Sequence, residues 1–209
     1  MSLATRLLNA NPGAQVSNAL SGSLTTPGAK GAFVLPGNYE LITTYTLTGT
    51  STAINFNSIP QTYKHLEIRG VLQGTQGTDR GNSWELFQIN GNATNYSYSY
   101  LRGYEGDTAN GSKDVNSATL ALGDALYQGA NTSVFQTVIA KFNNYSETDI
   151  IKNFTVWSGW ANSASSQNRI IFLQGNYQST AAITSISFPN SNTSGFAIGS
   201  SLQLYGVAG

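Results

Sequence analysis

Apolar and polar residues alternate with a period of two, rather than 3.6, along most of this chain. The alternation begins at Tyr39 and recurs in short segments that are rich in β-branched and aromatic residues and are separated by Gly, Asn and Ser. The segments read YELITTYTL, TAINFN, YKHLEIRGVL, SWELFQING, NYSYSYLRG, SVFQTVIAKF, IKNFTVWSGW, NRIIFLQGNY, ITSISF and GSSLQLYGV. About ten short strands of this kind predict an all-β fold, an antiparallel two-sheet β-sandwich of the jelly-roll type.

One segment does not fit the strand pattern. In SATLALGDALYQG, residues 117–129, the spacing of Leu120, Leu122 and Leu126 is compatible with a short helix or an irregular flap. No ten-residue window from Tyr39 onward makes a convincing amphipathic helix, and this segment is the best candidate for one.

Residues 1–37 differ in composition from the rest of the chain. They are rich in Gly, Ala, Ser and Asn and contain three of the five prolines, and an NPG sequence ends the helical spacing of Leu3, Leu7 and Leu8. Such a segment cannot bury enough apolar surface to fold alone, so it is either a disordered leader or an arm that becomes ordered on another subunit. We favour an extended N-terminal docking arm with those three leucines as assembly residues, followed by a β-sandwich domain over residues 38–209.

The composition narrows the classes of partner. Charged residues make up only 10% of the 209 residues, and ten Lys and Arg balance ten Asp and Glu, so the formal net charge is zero. A neutral chain lacks the clustered cations that neutralise phosphates, which argues against nucleic acid as a partner. Low net charge favours association between molecules, and a surface of Ser, Thr, Asn, Gln and Gly also suits uncharged ligands such as sugars.

Targeting signals and cysteines are both missing from the sequence. The absence of cysteine excludes disulfides, thiolate nucleophiles and cysteine-ligated zinc. The N-terminus lacks the basic and apolar regions of a signal peptide, and no segment approaches the roughly 18 apolar residues needed to span a bilayer. We expect a product that is made in a cytoplasm, does not use the general secretory route and has no membrane partner.

The single histidine, His65, lies in a strand-like segment in which Leu66 and Ile68 point to the core. His65, Glu67 and Arg69 then share an outward face that is either solvated or in contact with another subunit. One imidazole and one carboxylate are too few ligands for a metal site, and no nucleophile elbow accompanies the histidine. We therefore expect a structural role for His65.

Paired carboxylates give no clear catalytic site either. Glu105 and Asp107 lie close together in the glycine-rich segment YEGDTANGSKD, but the spacing is not that of an EF-hand loop. We interpret the segment as a polar surface loop, and we predict no catalytic residue, no metal site and no cofactor.

Aromatic residues form the best candidate for a ligand site. Tyr96, Tyr98 and Tyr100 alternate with serine on one strand face, while Trp157 and Trp160 have opposite strand parity and share a face only if a bulge intervenes. Three alternatives stay open for the tyrosines: core filling, an interface between subunits, or a platform on which sugar rings stack.

The turn that precedes His65 has a physical interpretation. Pro60 fixes the turn, Ile59 fills the end of the sandwich, and Tyr63 anchors the loop.

Three segments resemble virion structural proteins of tailed bacteriophages, particularly those of aquatic and cyanobacterial hosts. They are YELITTYTL (Tyr39 to Leu47), FNSIPQTYKHLEIRG (Phe56 to Gly70) and FAIGSSLQLYG (Phe196 to Gly206). The resemblance implies a β-sandwich used in heads, tails, fibres or decorations, with His65 as a framework residue and no catalytic residue to transfer. It covers the globular part of the chain and not residues 1–37.

The leading expectation is a non-enzymatic virion structural protein, located in the capsid decoration, the neck or the tail and fibre. Its partners would be other virion proteins and further copies of itself, with a trimer as the expected homo-oligomer. The alternative is a carbohydrate-binding module that recognises host surface glycan through Tyr96, Tyr98, Tyr100 and Trp157. An enzyme of the glycosidase or esterase type ranks third.

Overall fold

A computed structural model describes residues 39–75, 84–104, 109–117, 120–124, 134–161, 169–189 and 195–208. Within these ranges the chain forms strands, turns and loops and no helix, so the all-β prediction is confirmed. The proposed arm over residues 1–37, with Leu3, Leu7 and Leu8, lies outside the described residues, and so do Glu105 and Asp107.

Twelve strands run through the described ranges. They are β1 (Tyr39–Thr46), β2 (Ala53–Phe56), β3 (His65–Leu72), β4 (Trp84–Ile89), β5 (Tyr96–Tyr104), β6 (Asn110–Ser117), β7 (Leu120–Asp124), β8 (Gln136–Asn143), β9 (Lys152–Trp160), β10 (Arg169–Tyr177), β11 (Ile186–Pro189) and β12 (Ser201–Val207). An eight-stranded sheet has the order β1-β12-β3-β8-β9-β10-β5-β6, and a four-stranded sheet has the order β2-β11-β4-β7. Every pairing is antiparallel, so the predicted two-sheet antiparallel architecture is confirmed.

The core lies between the two sheets and is built by alternate residues of each strand. Leu66 and Ile68 of β3 are buried as predicted, with exposed fractions of 1% and 0%. Phe87 of the small sheet contacts Phe142 and Phe154 of the large sheet, with ring centroids 5.2 and 5.3 Å apart in edge-on geometry. Such aromatic pairs add to the free energy gained from apolar burial. The inner face of the large sheet is therefore the face that the small sheet covers.

The turn between β2 and β3 is held by buried contacts. Ile59 is buried at the end of the sandwich, and the Tyr145 hydroxyl donates a hydrogen bond to the Pro60 carbonyl. The Tyr63 ring lies against Gly206, where a Cβ atom would come within 2.3 Å of the ring. The close approach of Tyr63 therefore requires glycine at position 206, which agrees with the predicted anchoring role of this tyrosine.

The described part of residues 117–129 is extended rather than helical. Leu120–Asp124 forms β7, which pairs with β4. The helix option is therefore wrong for these residues. Their leucines also fit a period of two, and the available edge of β4 supplies backbone hydrogen bonds that a short isolated helix would lack.

A buried lysine fixes the loop between β8 and β9 against the segment that precedes β11. Lys152 is 0% exposed, and its ammonium group donates hydrogen bonds to the carbonyl oxygens of Glu147, Ile150 (2.8 Å) and Thr180 (3.0 Å). A buried cation is tolerated when hydrogen-bond acceptors surround it. Lys152 therefore joins two loops that come from separate parts of the chain.

Replacing Lys152 with alanine should lower the free energy of unfolding by about 3 kcal/mol, because buried carbonyl oxygens lose their donor and the side chain leaves a void. Urea denaturation followed by circular dichroism measures the change. Lys113→Ala, at an exposed position of β6, serves as the control and should change the value by less than about 0.5 kcal/mol. Equal stability of the two variants would show that the lysine does not join these loops.

Candidate functional site

The outer face of the eight-stranded sheet, opposite the small sheet, exposes a row of apolar side chains. Ile139, Trp157, Phe172 and Leu101 are direct cross-strand neighbours on β8, β9, β10 and β5. We call these four residues the apolar row. Trp157 is 40% exposed, Phe172 38% and Leu101 64%, and the adjacent Ile170 is 68% exposed. A contiguous apolar surface of this kind marks a binding surface more often than an isolated exposed side chain does.

Polar uncharged side chains lie directly beside the apolar row. On β9, β10 and β5, the outward residues next to the apolar row are Thr155, Gln174 and Ser99, which are cross-strand neighbours of one another. The next outward residues on the same strands are Asn153, Asn176 and Ser97. We call these six residues the polar strip. The outer face therefore changes from apolar to amide and hydroxyl groups within a few residues, because the register aligns like side chains across three strands.

A shallow cavity of about 230 Å³ lies in the polar strip. Its lining includes Asn153, Gln174 and Asn176, together with Lys113 of β6. Thr155 donates a hydrogen bond of 2.5 Å to the Gln174 Oε1 atom, which sets the orientation of that carboxamide. Among the described residues, Asn176 Oδ1 is one of the buried side-chain atoms without a hydrogen-bond partner. Such an atom is costly unless a ligand or water satisfies it.

The two tryptophans of β9 lie on opposite faces of the sheet. The register of β9 with β10 runs without a bulge, so the parity of the sequence is kept at Gly159. Trp157 faces outward, 5.6 Å from the Phe172 ring centroid, and the Lys141 ammonium lies 5.5 Å from the centroid of its ring. Trp160 has a buried indole nitrogen instead.

Trp157 lies on the opposite face of the sheet from Tyr96, Tyr98 and Tyr100, which were expected to form one glycan platform with it. Tyr96 is fully buried, accepts a hydrogen bond from the Ile89 amide (2.8 Å) and donates one to the Asn92 carbonyl (2.9 Å). Burial raises the pKa of Tyr96 to about 12. Tyr98 and Tyr100 are partly buried and pack against the core. Tyr96 therefore fills the core and is not available as a platform, and the other two tyrosines share its inner face.

A second group of outer-face residues surrounds Glu67, near the other edge of the sheet. The strand pattern placed Glu67 on an outward face that is either solvated or in contact with another subunit, yet the residue is only 2% exposed. Its carboxylate pairs with Arg69, accepts a hydrogen bond from the Tyr39 hydroxyl (2.8 Å) and lies 3.3 Å from the Lys141 ammonium. The Arg69 guanidinium carbon in turn lies 4.5 Å and 5.3 Å from the ring centroids of Tyr39 and Tyr205. Glu67 points outward, as predicted. Solvation of Glu67 is wrong, because the longer side chains of Tyr39, Arg69 and Lys141 cover its carboxylate.

The charge of Glu67 is stabilised by its neighbours. Burial alone would raise the pKa of Glu67, but hydrogen bonds from Arg69 and Tyr39 and the charge of Lys141 outweigh it and hold this pKa below its usual value. The cluster therefore keeps a buried carboxylate ionised, and it ties β1, β3 and β8 together on the outer face.

His65 makes a structural contact beside this cluster. Its Nδ1 atom accepts a hydrogen bond of 3.1 Å from the Asn144 amide. Burial, and then the positive charge of Lys64, lowers the pKa of His65, which favours the neutral ring that this hydrogen bond needs. The contact agrees with the structural role expected from the sequence.

Glu67→Gln should make the protein less sensitive to acid. Because the folded pKa of Glu67 lies below its ordinary value of 4.5, ionisation contributes stability above that pH and the contribution is lost as the pH falls through the folded pKa. Urea denaturation between about pH 7 and about pH 3 should show a smaller loss of stability in Glu67→Gln than in wild type, and a lower value at neutral pH by about 2 kcal/mol.

The matched control for this experiment is Asp149→Asn, which changes an exposed carboxylate outside the cluster. It should keep the acid sensitivity of the wild-type protein. If Glu67→Gln also kept it, the cluster would not be the source of that sensitivity.

Metal sites, membrane-spanning helices and similarity to known proteins give no further indication of function. In the ranges that the structure describes, no group of three or more His, Cys, Asp and Glu side chains could hold a metal ion. Those ranges also hold no helix of the length and apolarity that a membrane crossing requires. No protein-family model matches the chain, and neither the curated proteins nor the solved structures include a significant match. We therefore infer function from this chain's own residues.

Proposed function

We propose that this chain is a non-enzymatic structural protein of a tailed-bacteriophage particle. It belongs to the capsid decoration, the neck or the tail and fibre, and it assembles with other virion proteins and with further copies of itself. The resemblance of Tyr39 to Leu47, Phe56 to Gly70 and Phe196 to Gly206 to such proteins motivates the proposal. The observation that carries it is the pattern of strand pairing.

The strand order supports a jelly roll. If β5 with β6 and β9 with β10 are taken as two inserted strand pairs, eight strands remain. Among these eight the first pairs with the last (β1 with β12), the second with the seventh (β2 with β11), the third with the sixth (β3 with β8) and the fourth with the fifth (β4 with β7). That pairing is one long hairpin rolled into two sheets, and such jelly rolls form viral capsid domains and lectins.

Assembly follows from charge and from the N-terminal segment. Ten basic and ten acidic residues leave no net charge to keep copies apart. We assign docking onto the particle to residues 1–37, with Leu3, Leu7 and Leu8 as contact residues, and we expect the copies to form a trimer. The protein is made in the host cytoplasm and becomes part of the virion.

A second function, recognition of a host surface glycan, is compatible with the first. Lectin domains also use the jelly roll, although fold alone does not fix function. The specific observation in its favour is Trp157, which is exposed on the outer face beside the polar strip. The platform of Tyr96, Tyr98 and Tyr100 no longer belongs to this alternative, because these residues lie on the inner face.

Antibodies against the purified chain should label intact particles of the phage that encodes it. Immunogold electron microscopy makes the measurement and locates the protein on the head, the neck or the tail. Particles of a phage that lacks the gene serve as the control. If neither immunogold labelling nor mass spectrometry detects the protein in purified particles, the virion proposal is contradicted.

A truncated chain that starts at Gly37 should remain folded and fail to join particles. Its folding is expected because Pro36–Gly209 forms a compact unit. Circular dichroism checks the β-sheet signal, and co-purification with particles measures incorporation against the full chain. Equal incorporation of both chains would contradict a docking role for the arm and leave the location in the virion unaffected.

A further inference from the structure

We propose that the outer face formed by β9, β10, β5 and β6 binds a neutral glycan, with the polar strip holding its hydroxyl groups and the apolar row contacting its ring faces. The inference rests on the proposed function in one respect, since a protein displayed on a particle is the one that meets a cell surface. Its residues are Asn153, Gln174, Asn176, Trp157 and Phe172.

The hydrogen-bonding groups of the cavity match a sugar in kind. A carboxamide offers both donors and acceptors, as does each sugar hydroxyl. Because the Thr155 hydroxyl donates to Gln174 Oε1, the Gln174 amide nitrogen keeps its donors for a ligand. Asn153 and Asn176 line the same cavity and add two more carboxamides. The cavity therefore presents an oriented amide donor among further uncharged carboxamide and hydroxyl groups.

The apolar row supplies the second half of sugar recognition. Gln174 and Phe172 are two residues apart on β10, a separation of about 6.8 Å along a strand. A sugar held by the amides is therefore within reach of the rings of Phe172 and Trp157, which are 38% and 40% exposed. Flat aromatic rings stack against the C–H face of a sugar while polar neighbours bind its hydroxyls. A ligand with one apolar and one hydroxylated side fits this surface.

Charge argues for a neutral ligand. Among the described residues that line the cavity, Lys113 is the one with a charged side chain, whereas phosphates and other anions are held by several cations together. The Lys141 ammonium lies close to the Trp157 ring and is also paired with Glu67. A second copy of this chain would cover the apolar row as well, but it would also bury the uncharged amides of the polar strip, each of which would then need a hydrogen-bond partner. The observations favour the glycan.

The experiment uses the full chain and an array of purified bacterial capsular and O-antigen glycans, both neutral and acidic. We expect binding to at least one neutral glycan, confirmed by isothermal titration with that glycan and by a change in tryptophan fluorescence. Its affinity should change by less than about twofold between low and high salt, because an uncharged ligand has no Coulombic attraction to screen. Binding to acidic glycans alone, or to none on the array, overturns the proposal.

Variants test whether binding occurs on this face. Gln174→Ala, Asn176→Ala and Trp157→Ala should each weaken binding by about tenfold, and the last should also remove most of the fluorescence change. The control is Gln203→Ala, a glutamine on the same outer face of β12, four strands and about 19 Å from β10. Thermal unfolding shows whether each variant is folded. Wild-type affinity in all three folded variants overturns the assignment.

The glycan experiments and the particle-labelling experiment test the two proposals separately. Glycan binding by a protein that is missing from particles overturns the virion location alone, and labelled particles without glycan binding overturn the present inference alone. Analytical ultracentrifugation compares the oligomeric state of the wild-type chain with that of Trp157→Ala. If the apolar row instead joins two copies, Trp157→Ala will shift the chain towards monomer and no glycan will bind, which overturns the glycan site.

Discussion

Burial of a single face of the large sheet beneath the small sheet is the constraint on which the structure depends. Phe87 contacts Phe142 and Phe154 across the gap between the sheets, and the strands bury alternate residues there. Because side chains alternate along a strand, the residues on either side of each core residue point to the opposite face of the sheet. The composition of the outer face is thus not set by the core, and an apolar row there needs another explanation than core formation.

Local pattern predicted the parts of the fold that depend on one strand at a time. The period of two predicted the all-β class and the inward direction of Leu66 and Ile68, and parity predicted that Trp157 and Trp160 point to opposite faces. The same alternation is present in NRIIFLQGNY, where Phe172, Gln174 and Asn176 share a face. The polar strip was missed because its residues become neighbours only through the register of three strands, which one strand cannot reveal.

The burial of charged side chains was also not predictable from one strand at a time. The segment around Glu67 predicted a face that is solvated or in contact with another subunit, and the burial of Glu67 comes from Tyr39 and Lys141, which are far from it in sequence. Lys152 has acceptors from two loops, one of which contains Thr180. Removal of an ionic group from water costs several kcal/mol unless partners surround it, so these positions depend on long-range geometry. The tyrosines of β5 were ambiguous for a related reason, since the small sheet decides which face is the core.

The strands that form the cavity are the four that lie outside the proposed jelly roll. Asn153, Gln174, Ser99 and Lys113 belong to β9, β10, β5 and β6, whereas the end-to-end pairing of the remaining eight strands closes without them. If this cavity binds the proposed glycan, ligand binding and the eight-strand framework belong to different stretches of chain. Substitutions at the outward positions of β9, β10, β5 and β6 would then change the binding surface and leave the pairing of the other eight strands intact.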